Sequence, residues 1–144
     1  MKNMEVEKGV ITAVFDEDNR VLVLKRKKNW KGWELPKGHL EKDDYRETVL
    51  IELEEEAGID PELVDLVKDL EETVEWEYTQ NGEDFKKQYK AFLVKVSDVE
   101  RVDTSQNPCD EHEHGFFLRP RHVEEMLEYE NNKKVLRKAM EEID

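Results

Sequence analysis

The apolar positions near the start of the chain fall into two short runs that predict a β-hairpin. Residues 9–15 are rich in β-branched side chains, and residues 21–24 are all apolar. The polar cluster at 16–19 lies between these runs and supplies a turn. A basic stretch then leads into Leu-Pro-Lys-Gly-His at 35–39, whose proline and glycine favour a structured loop.

A second and longer hairpin is predicted further along the chain. Residues 64–79 and 85–96 alternate imperfectly between apolar and polar positions, and Asn81-Gly82 between them is typical of a tight two-residue turn. Residues 103–114 have no usable period, so we expect a loop there. A short strand is expected to follow at 115–118.

Three segments repeat their apolar positions with helical spacing. The first spans about residues 44–57; an aspartate before it can cap its start, and a glycine after it can end it. The other two, residues 122–129 and 131–143, close the chain. Strands and helices without regular alternation predict an α+β fold in which helices pack against a mixed sheet.

Size and composition narrow the classes of function. The 144 residues have room for one domain with a sizeable core, so we expect residues 1–144 to form one domain. The net charge of −14 repels polyanions, so no extended nucleic-acid binding is expected. The apolar runs are too short to cross a membrane, and the first residues lack the apolar stretch of a secretory signal, so we expect neither feature. The single cysteine, Cys109, cannot form an internal disulfide, which favours a cytoplasmic protein.

Three glutamates within the first predicted helix are candidates for a metal site. Glu52, Glu55 and Glu56 have the spacing i, i+3 and i+4, which puts them on one face within one turn. Carboxylates this close repel one another unless a divalent cation neutralises them, and oxygen ligands favour Mg²⁺, with Mn²⁺ as a substitute. The alternative is an ordinary solvated acidic face.

The loop before this helix and the helix itself together resemble a known sequence signature. Lys37, Gly38 and His39 offer a cation, a close-approach glycine and an imidazole that could receive phosphate oxygens. The chain resembles the Nudix hydrolases, whose signature is Gly, five residues, Glu, seven residues, then Arg-Glu-apolar-any-Glu-Glu-any-Gly-apolar. Gly38 opens the match and residues 52–59 close it.

The resemblance implies a fold, a reaction and roles for individual residues. We expect an α/β/α sandwich and Mg²⁺-dependent hydrolysis of a phosphoanhydride in a nucleotide derivative. By its position in the signature, Glu52 would orient or deprotonate the attacking water and also contact the metal ion in part. Glu55 and Glu56 would be the main metal ligands, and Glu55 would also take part in catalysis. Family members often recruit one more acid from a distant loop; Glu111 is the first choice and Glu113 the second.

The substrate class is suggested by a closer resemblance to the diadenosine tetraphosphatase branch. Residues 33–41, the Glu-His loop at 110–114 before an aromatic strand, and residues 129–131 carry this resemblance. Nucleoside triphosphates, nucleotide sugars and RNA 5′ ends are alternatives with the same chemistry. A nucleotide-binding sensor with weak catalysis is another. Two departures favour the sensor: Ile51 replaces the signature arginine, and Asp44 takes the first acidic position in a segment one residue short.

Cations and aromatic rings near these motifs could hold the rest of a nucleotide. Six basic residues between positions 25 and 37 could form a local lip that steers an anion. Tyr78 and Tyr89 could stack on a base, as could Trp76 and Phe92, although each of these is also a candidate for the core. In a rival hypothesis, His112 and His114 bind a transition metal.

Overall fold

The computed structural model describes residues 5–28, 31–107 and 110–143. In these residues the chain forms seven β-strands and three α-helices, with short 3₁₀ turns at Pro61–Leu63 and Thr104–Gln106. In chain order they are β1 (Glu5–Phe15), β2 (Val21–Arg26), β3 (Gly32–Glu34), β4 (Lys37–His39), α1 (Tyr45–Ala57), β5 (Val64–Gln80), β6 (Glu83–Val96), β7 (His112–Leu118), α2 (Pro120–Met126) and α3 (Glu130–Glu142).

The strands form one mixed sheet whose central path runs β3-β2-β1-β6-β5. The pair β1–β6 is parallel from Glu5 beside Phe85 to Phe15 beside Lys95, and the other pairs are antiparallel. Strand β4 pairs with β1, and β7 pairs with β2. The predicted mixed sheet is therefore confirmed.

Helices cover both faces of this sheet. Val10 and Val14 of β1 belong to a buried cluster that also contains Leu53 of α1. The intervening Ala13 belongs to a second cluster, which also contains Leu136 of α3. Successive residues of a strand point to opposite faces, so one strand feeds both cores. This arrangement confirms the predicted α/β/α sandwich.

Helix α1 begins and ends where the sequence predicts. The side chain of Asp44 accepts a hydrogen bond from the backbone N–H of Glu47 at 3.0 Å, as an N-cap does. Gly58 adopts φ 66°, the left-handed conformation that glycine takes most easily, and its N–H donates to the carbonyl of Glu54 at 3.0 Å. These contacts fix which face of α1 meets the sheet.

Both predicted hairpins are present, although they differ in extent. Asn81 and Gly82 have φ of 52° and 78°, as a two-residue turn with two left-handed residues requires, and β5 and β6 pair along almost their whole length. In the first hairpin the register joins only Phe15 to Val21. The rest of β1 pairs with β4 and β6, a long-range choice that local patterns do not reveal.

Two short strands lie where the sequence predicts none. Residues 32–34 and 37–39 form β3 and β4, because each lies beside a longer strand that completes its hydrogen bonds. Strand β7 begins at His112, three residues before the predicted start, because its pairing with β2 continues past an irregularity in register. The sequence shows no period there because such a bulge breaks the alternation. Cys109 lies outside the described residues.

The two C-terminal helices are confirmed with small shifts in their bounds. Helix α2 begins at Pro120, a residue suited to the first helical turn, and ends at Met126; α3 spans Glu130–Glu142. Among the helices of the described residues, none combines the length and apolar character needed to span a membrane.

Candidate active site

A cavity of about 670 Å³ opens beside α1, β4 and the second hairpin. The nine first-choice site residues (Glu52, Glu55, Glu56, Glu111, Lys37, Gly38, His39, Tyr78 and Tyr89) all line it. The structure thus brings together residues that lie up to 74 positions apart, from Lys37 to Glu111. The full lining consists of Arg26, Lys37, Gly38, His39, Glu41, Glu52, Glu55, Glu56, Trp76, Tyr78, Gln80, Lys87, Tyr89, Asn107 and Glu111.

Helix α1 presents its three glutamates to this cavity at different depths. Glu56 is only 2% exposed, so it does not belong to a solvated acidic face. Glu52 and Glu55 are half-buried. The backbone of Gly38 lies so close to Glu52 that a Cβ at Gly38 would overlap the glutamate carboxyl. The loop and the helix are therefore in direct contact.

The carboxylates raise one another's pKa values. Burial and the charge of Glu55 raise the pKa of Glu52 to about 7, although a hydrogen bond with Glu56 lowers it. Burial and the charge of Glu41 raise the pKa of Glu55. Burial, followed by the charges of Glu52 and Glu34, raises the pKa of Glu56 well above its ordinary value. The negative charge on this side of the cavity is therefore larger than nearby positive groups of the protein neutralise.

A buried ion-pair network lies behind the glutamates. The side chains of Glu34 and His112 are each 1% exposed, and Nε2 of His112 lies 2.6 Å from Oε2 of Glu34. Lys37 Nζ lies 3.1 Å from the other oxygen of Glu34, and Arg26 Nη1 lies 3.2 Å from Oε2. Burial alone would raise the pKa of Glu34, but the hydrogen bond from His112 and the charges of Lys37 and Arg26 lower it to about 2. Glu34 is therefore ionised and holds two cations at the cavity wall.

A third cation, Lys87, enters the cavity from β6. Its Nζ lies 5.4 Å from the ring centre of Tyr78 and 6.0 Å from that of Trp76. Burial lowers the pKa of Lys87, Glu7 raises it, and the charges of Lys37 and Arg26 lower it further. The mutual repulsion of these cations indicates that this side of the cavity suits an anion.

The predicted basic lip is smaller than the sequence suggests. Of its six residues, only Arg26 and Lys37 line the cavity. Lys25 pairs with Glu113 at 3.4 Å, and Lys27 pairs with Asp110 at 2.9 Å. Acidic residues just before and within β7 therefore neutralise part of the lip.

Aromatic rings form another wall. Trp76 meets Tyr89 edge to face, with 5.0 Å between ring centres, and Tyr89 is only 2% exposed. Tyr78 stacks on Phe85 at 5.2 Å. Phe92 is 5% exposed and packs in the cluster on the α1 side of the sheet. It is not available to a base, because three positions of β6 separate it from Tyr89 and place it on the other face.

His39 lies at the rim of the cavity with its side chain 60% exposed. Its Nδ1 lies 2.6 Å from Oε1 of Glu7. The same carboxylate accepts a 3.4 Å hydrogen bond from the hydroxyl of Tyr78. Glu7 therefore joins two of the predicted substrate-binding residues, one from β4 and one from β5.

The two acids proposed for the distant loop occupy different surroundings. Glu111 lines the cavity and lies 3.5 Å from Nη1 of Arg26. Glu113 is exposed, pairs with Lys25, and does not line the cavity. The geometry therefore favours Glu111, the first choice.

The transition-metal hypothesis for the two histidines is wrong. In the register of β7 with β2, His112 lies beside Arg26 and His114 beside Lys25. Adjacent residues of β2 face opposite ways, so the bulge sends the two imidazoles to opposite faces of the sheet. His112 is buried against Glu34, whereas His114 is exposed and stacks on Phe116.

The departures from the signature have local structural correlates. Asp44, at the first acidic position, serves as the cap of α1 and does not line the cavity. Ile51, at the arginine position, is half-buried. Arg46 is exposed and does not line the cavity, so it does not replace that arginine.

Among the residues that shape this site, the sequence alone does not identify Glu34, Glu41 and Lys87. Lys87 had a usable signal, because it precedes Tyr89 by two positions on a predicted strand and therefore shares its face. Glu41 follows a loop, and the bend of that loop, which the sequence does not show, decides where the Glu41 side chain points. Glu34 meets His112 only because β3 and β7 both pair with β2.

The donor set fits a divalent cation of the Mg²⁺ type. Oε2 of Glu56 is buried without a hydrogen-bond partner among the described residues, and the surrounding ligand atoms are carboxylate oxygens. Across residues 5–28, 31–107 and 110–143, no three acidic, histidine or cysteine side chains already form a group arranged to hold a metal ion. A cation held by Glu52, Glu55 and Glu56 together would therefore require rotations of their side chains.

Comparison with known proteins identifies the family. A family model of the NUDIX domain matches residues 6–142. The chain belongs to the Nudix family. This Nudix chain is 36% identical over 81 residues to an RNA pyrophosphohydrolase from Pelagibacter ubique, covering 55% of the chain and 50% of the relative. An RNA pyrophosphohydrolase from Zymomonas mobilis is 34% identical over 80 residues, covering 54% and 52%. The chain spans about half the length of these curated relatives.

Solved structures share the Nudix fold over nearly the whole chain. An Ap4A hydrolase complex from C. elegans has a TM-score of 0.73 at 21% identity, covering 94% of this chain and 96% of the other. A dihydroneopterin triphosphate pyrophosphohydrolase from E. coli has a TM-score of 0.76 at 18% identity, covering 95% and 97%. At these identities the likeness supports the fold alone.

Proposed function

We propose that this chain is a single-domain Mg²⁺-dependent pyrophosphohydrolase that cleaves a phosphoanhydride in a nucleotide derivative, with a dinucleoside polyphosphate such as diadenosine tetraphosphate as first candidate substrate. The observation that carries the proposal is the division of charge within one cavity. Five glutamates (Glu41, Glu52, Glu55, Glu56 and Glu111) line this cavity, and their charges repel one another; three mutually repelling cations line it as well. A polyphosphate bridged to divalent cations complements both sets.

The residues divide the work of the reaction. Glu52, Glu55, Glu56 and Glu111 would hold the cation, which neutralises phosphate charge and activates a water for attack. Water attacks a phosphorus, the bridging P–O bond breaks, and the leaving phosphate oxygen keeps the electron pair. Glu52 is the proposed acceptor of the proton that the water loses.

The cations and aromatic rings would orient the substrate. Arg26, Lys37 and Lys87 are proposed to bind the non-bridging phosphate oxygens, with the backbone of Gly38 close beside them. His39 at the rim could donate to a further phosphate. Trp76 and Tyr78 offer aromatic surface to a base, and Tyr89 supports Trp76 from the floor.

Incubation with diadenosine tetraphosphate and Mg²⁺ should release ATP and AMP. Glu55→Gln and Glu56→Gln should each lower kcat/KM by about 100-fold or more, the usual scale for losing a group that stabilises charge in the transition state. Glu54→Gln is the matched control, because it removes one charge from the exposed side of the same turn and should leave kcat/KM unchanged. Wild-type protein without turnover of any polyphosphate nucleotide, or unchanged turnover in both variants, would refute the proposal.

RNA 5′ triphosphate ends are a second candidate, because both curated relatives named above are RNA pyrophosphohydrolases. A 5′-triphosphorylated oligonucleotide, diadenosine tetraphosphate, ATP and a nucleotide sugar at equal concentration would rank the substrates by kcat/KM. A sensor would instead bind nucleotide in calorimetry without hydrolysing it, and Ile51→Arg would restore hydrolysis.

A further inference from the structure

The imidazole of His112 lies between two buried carboxyl groups. Its Nε2 is 2.6 Å from Oε2 of Glu34, and its Nδ1 is 3.9 Å from Oε2 of Glu56. The side chains of His112 and Glu34 are each 1% exposed and that of Glu56 is 3% exposed. Glu56 lines the cavity, whereas Glu34 does not. His112 therefore connects the cavity to the ion-pair network behind it.

Two polar atoms face each other across this connection without a partner. Neither Nδ1 of His112 nor Oε2 of Glu56 has a hydrogen-bond partner among the described residues. Buried polar atoms are nearly always paired, and the described residues offer these two atoms to each other. The 3.9 Å separation is about 1 Å longer than a hydrogen bond, so a small side-chain rotation closes it.

The other end of the imidazole is fixed. Glu34 is held by Arg26 at 3.2 Å and by Lys37 at 3.1 Å, so its carboxylate cannot turn away from Nε2. A ring anchored at Nε2 has its Nδ1 pointing in one direction only, and that direction is towards Glu56. The network is therefore built to hold one particular carboxyl group of α1.

We propose that His112, anchored by Glu34, is a positioning residue for Glu56. In this proposal the Nδ1–H of His112 donates a hydrogen bond to Oε2 of Glu56 and so directs the other carboxyl oxygen to the cation. The inference rests on the proposed function, because Glu56 requires a fixed orientation only if it is a metal ligand. Hydrogen bonds from a protein to the ligands of a metal commonly set the affinity of the site. In this chain Glu56 otherwise meets the repulsive charge of Glu52.

His112→Phe tests this role because it keeps a ring of similar shape and removes both nitrogen atoms. We expect Mn²⁺ affinity, measured by calorimetry without substrate, to fall by about 10–100-fold, with a parallel fall in kcat and a nucleotide KM close to that of the wild type. His114→Phe is the matched control, since His114 is exposed on the same strand and should leave all three quantities unchanged. Unchanged Mn²⁺ affinity in a folded His112→Phe variant would overturn the proposal.

A double-mutant cycle separates positioning from a general structural effect. In a Glu56→Gln background, His112→Phe should cause no further loss of Mn²⁺ affinity, because the group that it positions has already been changed. An equal loss in both backgrounds would overturn the proposal.

A second measurement serves if His112→Phe does not fold. The nitrogen NMR shift of His112 Nδ1 in wild-type protein should then move on Mg²⁺ saturation while that of His114 does not. A static His112 signal would overturn it.

These readouts distinguish this inference from the proposed function. Wild-type protein that hydrolyses no nucleotide but loses Mn²⁺ affinity in His112→Phe would refute the enzyme and support the positioning role. Active protein whose Mn²⁺ affinity and kcat are indifferent to His112→Phe would leave the enzyme intact and refute the positioning role.

Discussion

At the scale of single residues, the site depends on one position where a side chain is excluded. The backbone of Gly38 fills the space next to the Glu52 carboxyl, and its carbonyl approaches Gly9 of β1 so closely that a Cβ at Gly9 would overlap it. Two glycines therefore allow β1, β4 and α1 to meet without intervening side chains. This close approach brings β4 next to the glutamates of α1.

Gly38→Ala should damage activity more than stability. The added Cβ must displace Glu52, and a displacement of about 1 Å at a reacting group can cost about 100-fold in rate. We expect kcat/KM to fall on that scale in a nucleotide hydrolysis assay. Gly82→Ala is the control: it strains a turn with φ 78° but meets no neighbouring atom within 4 Å, so it should lower the melting temperature and spare kcat/KM. Full activity in Gly38→Ala would contradict this explanation.

Which site residues are predictable depends on how they reach the cavity. Glu52 and Glu56 lie within one turn of a helix, so their spacing alone shows that they share a region of space. Lys87 and His112 arrive through sheet pairing, which joins positions far apart in the chain. The chemistry of these side chains can be read from the sequence, but their neighbours cannot, so the sequence does not identify Glu34 as the anchor of His112.

At the scale of elements, the ends of α1 determine where its glutamates point. Asp44 caps the first turn and Gly58 ends the last one, so the register of the helix against the sheet is fixed at both ends. An acidic residue stands at this position in the signature, but in this chain its carboxylate is occupied by the N–H of Glu47. Asp44 therefore serves stability.

Substitutions of Asp44 can separate a role in capping α1 from a role in the reaction. Asp44→Ala should lower the free energy of unfolding by about 1 kcal/mol, the usual value of an N-cap, with kcat/KM retained. Asp44→Asn keeps a capping oxygen and should leave both quantities close to the wild type. Chemical denaturation and steady-state hydrolysis measure them independently. A large loss of kcat/KM in Asp44→Asn, with stability unchanged, would show that the carboxylate takes part in the reaction.

The elements themselves differ in how far local sequence determines them. Asn81-Gly82 specifies its turn because few other dipeptides adopt two left-handed residues, and the hairpin follows. The parallel pairing of β1 with β6 has no such local signal, because it joins segments that begin about 80 residues apart and is decided by the two cores. Strands β3 and β4 are three residues each and exist only because longer neighbours complete their hydrogen bonds.

At the scale of the whole molecule, the chain is acidic overall, and acidic residues at its cavity lower the stability of the folded state. The chain carries a net charge of −14, and its cavity adds buried carboxyl groups whose ionised forms are disfavoured. The pKa of Glu34 is lowered to about 2, so its contribution to stability is lost only as the pH falls from about 4.5 towards that value. Glu52 and Glu56 act in the opposite sense, because their pKa values are raised.

Glu52 makes the folded protein less stable as the pH rises. Its pKa is about 7 in the folded protein and near 4.5 when unfolded, so between these values the folded state binds more protons. The free energy of unfolding must therefore fall as the pH rises through that window. Glu56 contributes in the same direction. A divalent cation that binds the ionised carboxylates should reverse the loss, and its effect should grow with pH.

Thermal unfolding with EDTA and with Mg²⁺ at pH 5.5 and 7.5 tests this coupling. Without metal we expect a lower melting temperature at pH 7.5, by about 4 °C for each kcal/mol lost in a domain of this size. Mg²⁺ should raise the melting temperature more at pH 7.5 than at pH 5.5. Glu52→Gln should reduce the pH dependence, whereas Glu54→Gln, on the exposed side of the helix, should not. An equal response to Mg²⁺ at both pH values would mean that the cation binds away from these carboxylates, because only groups that titrate in this window couple binding to pH.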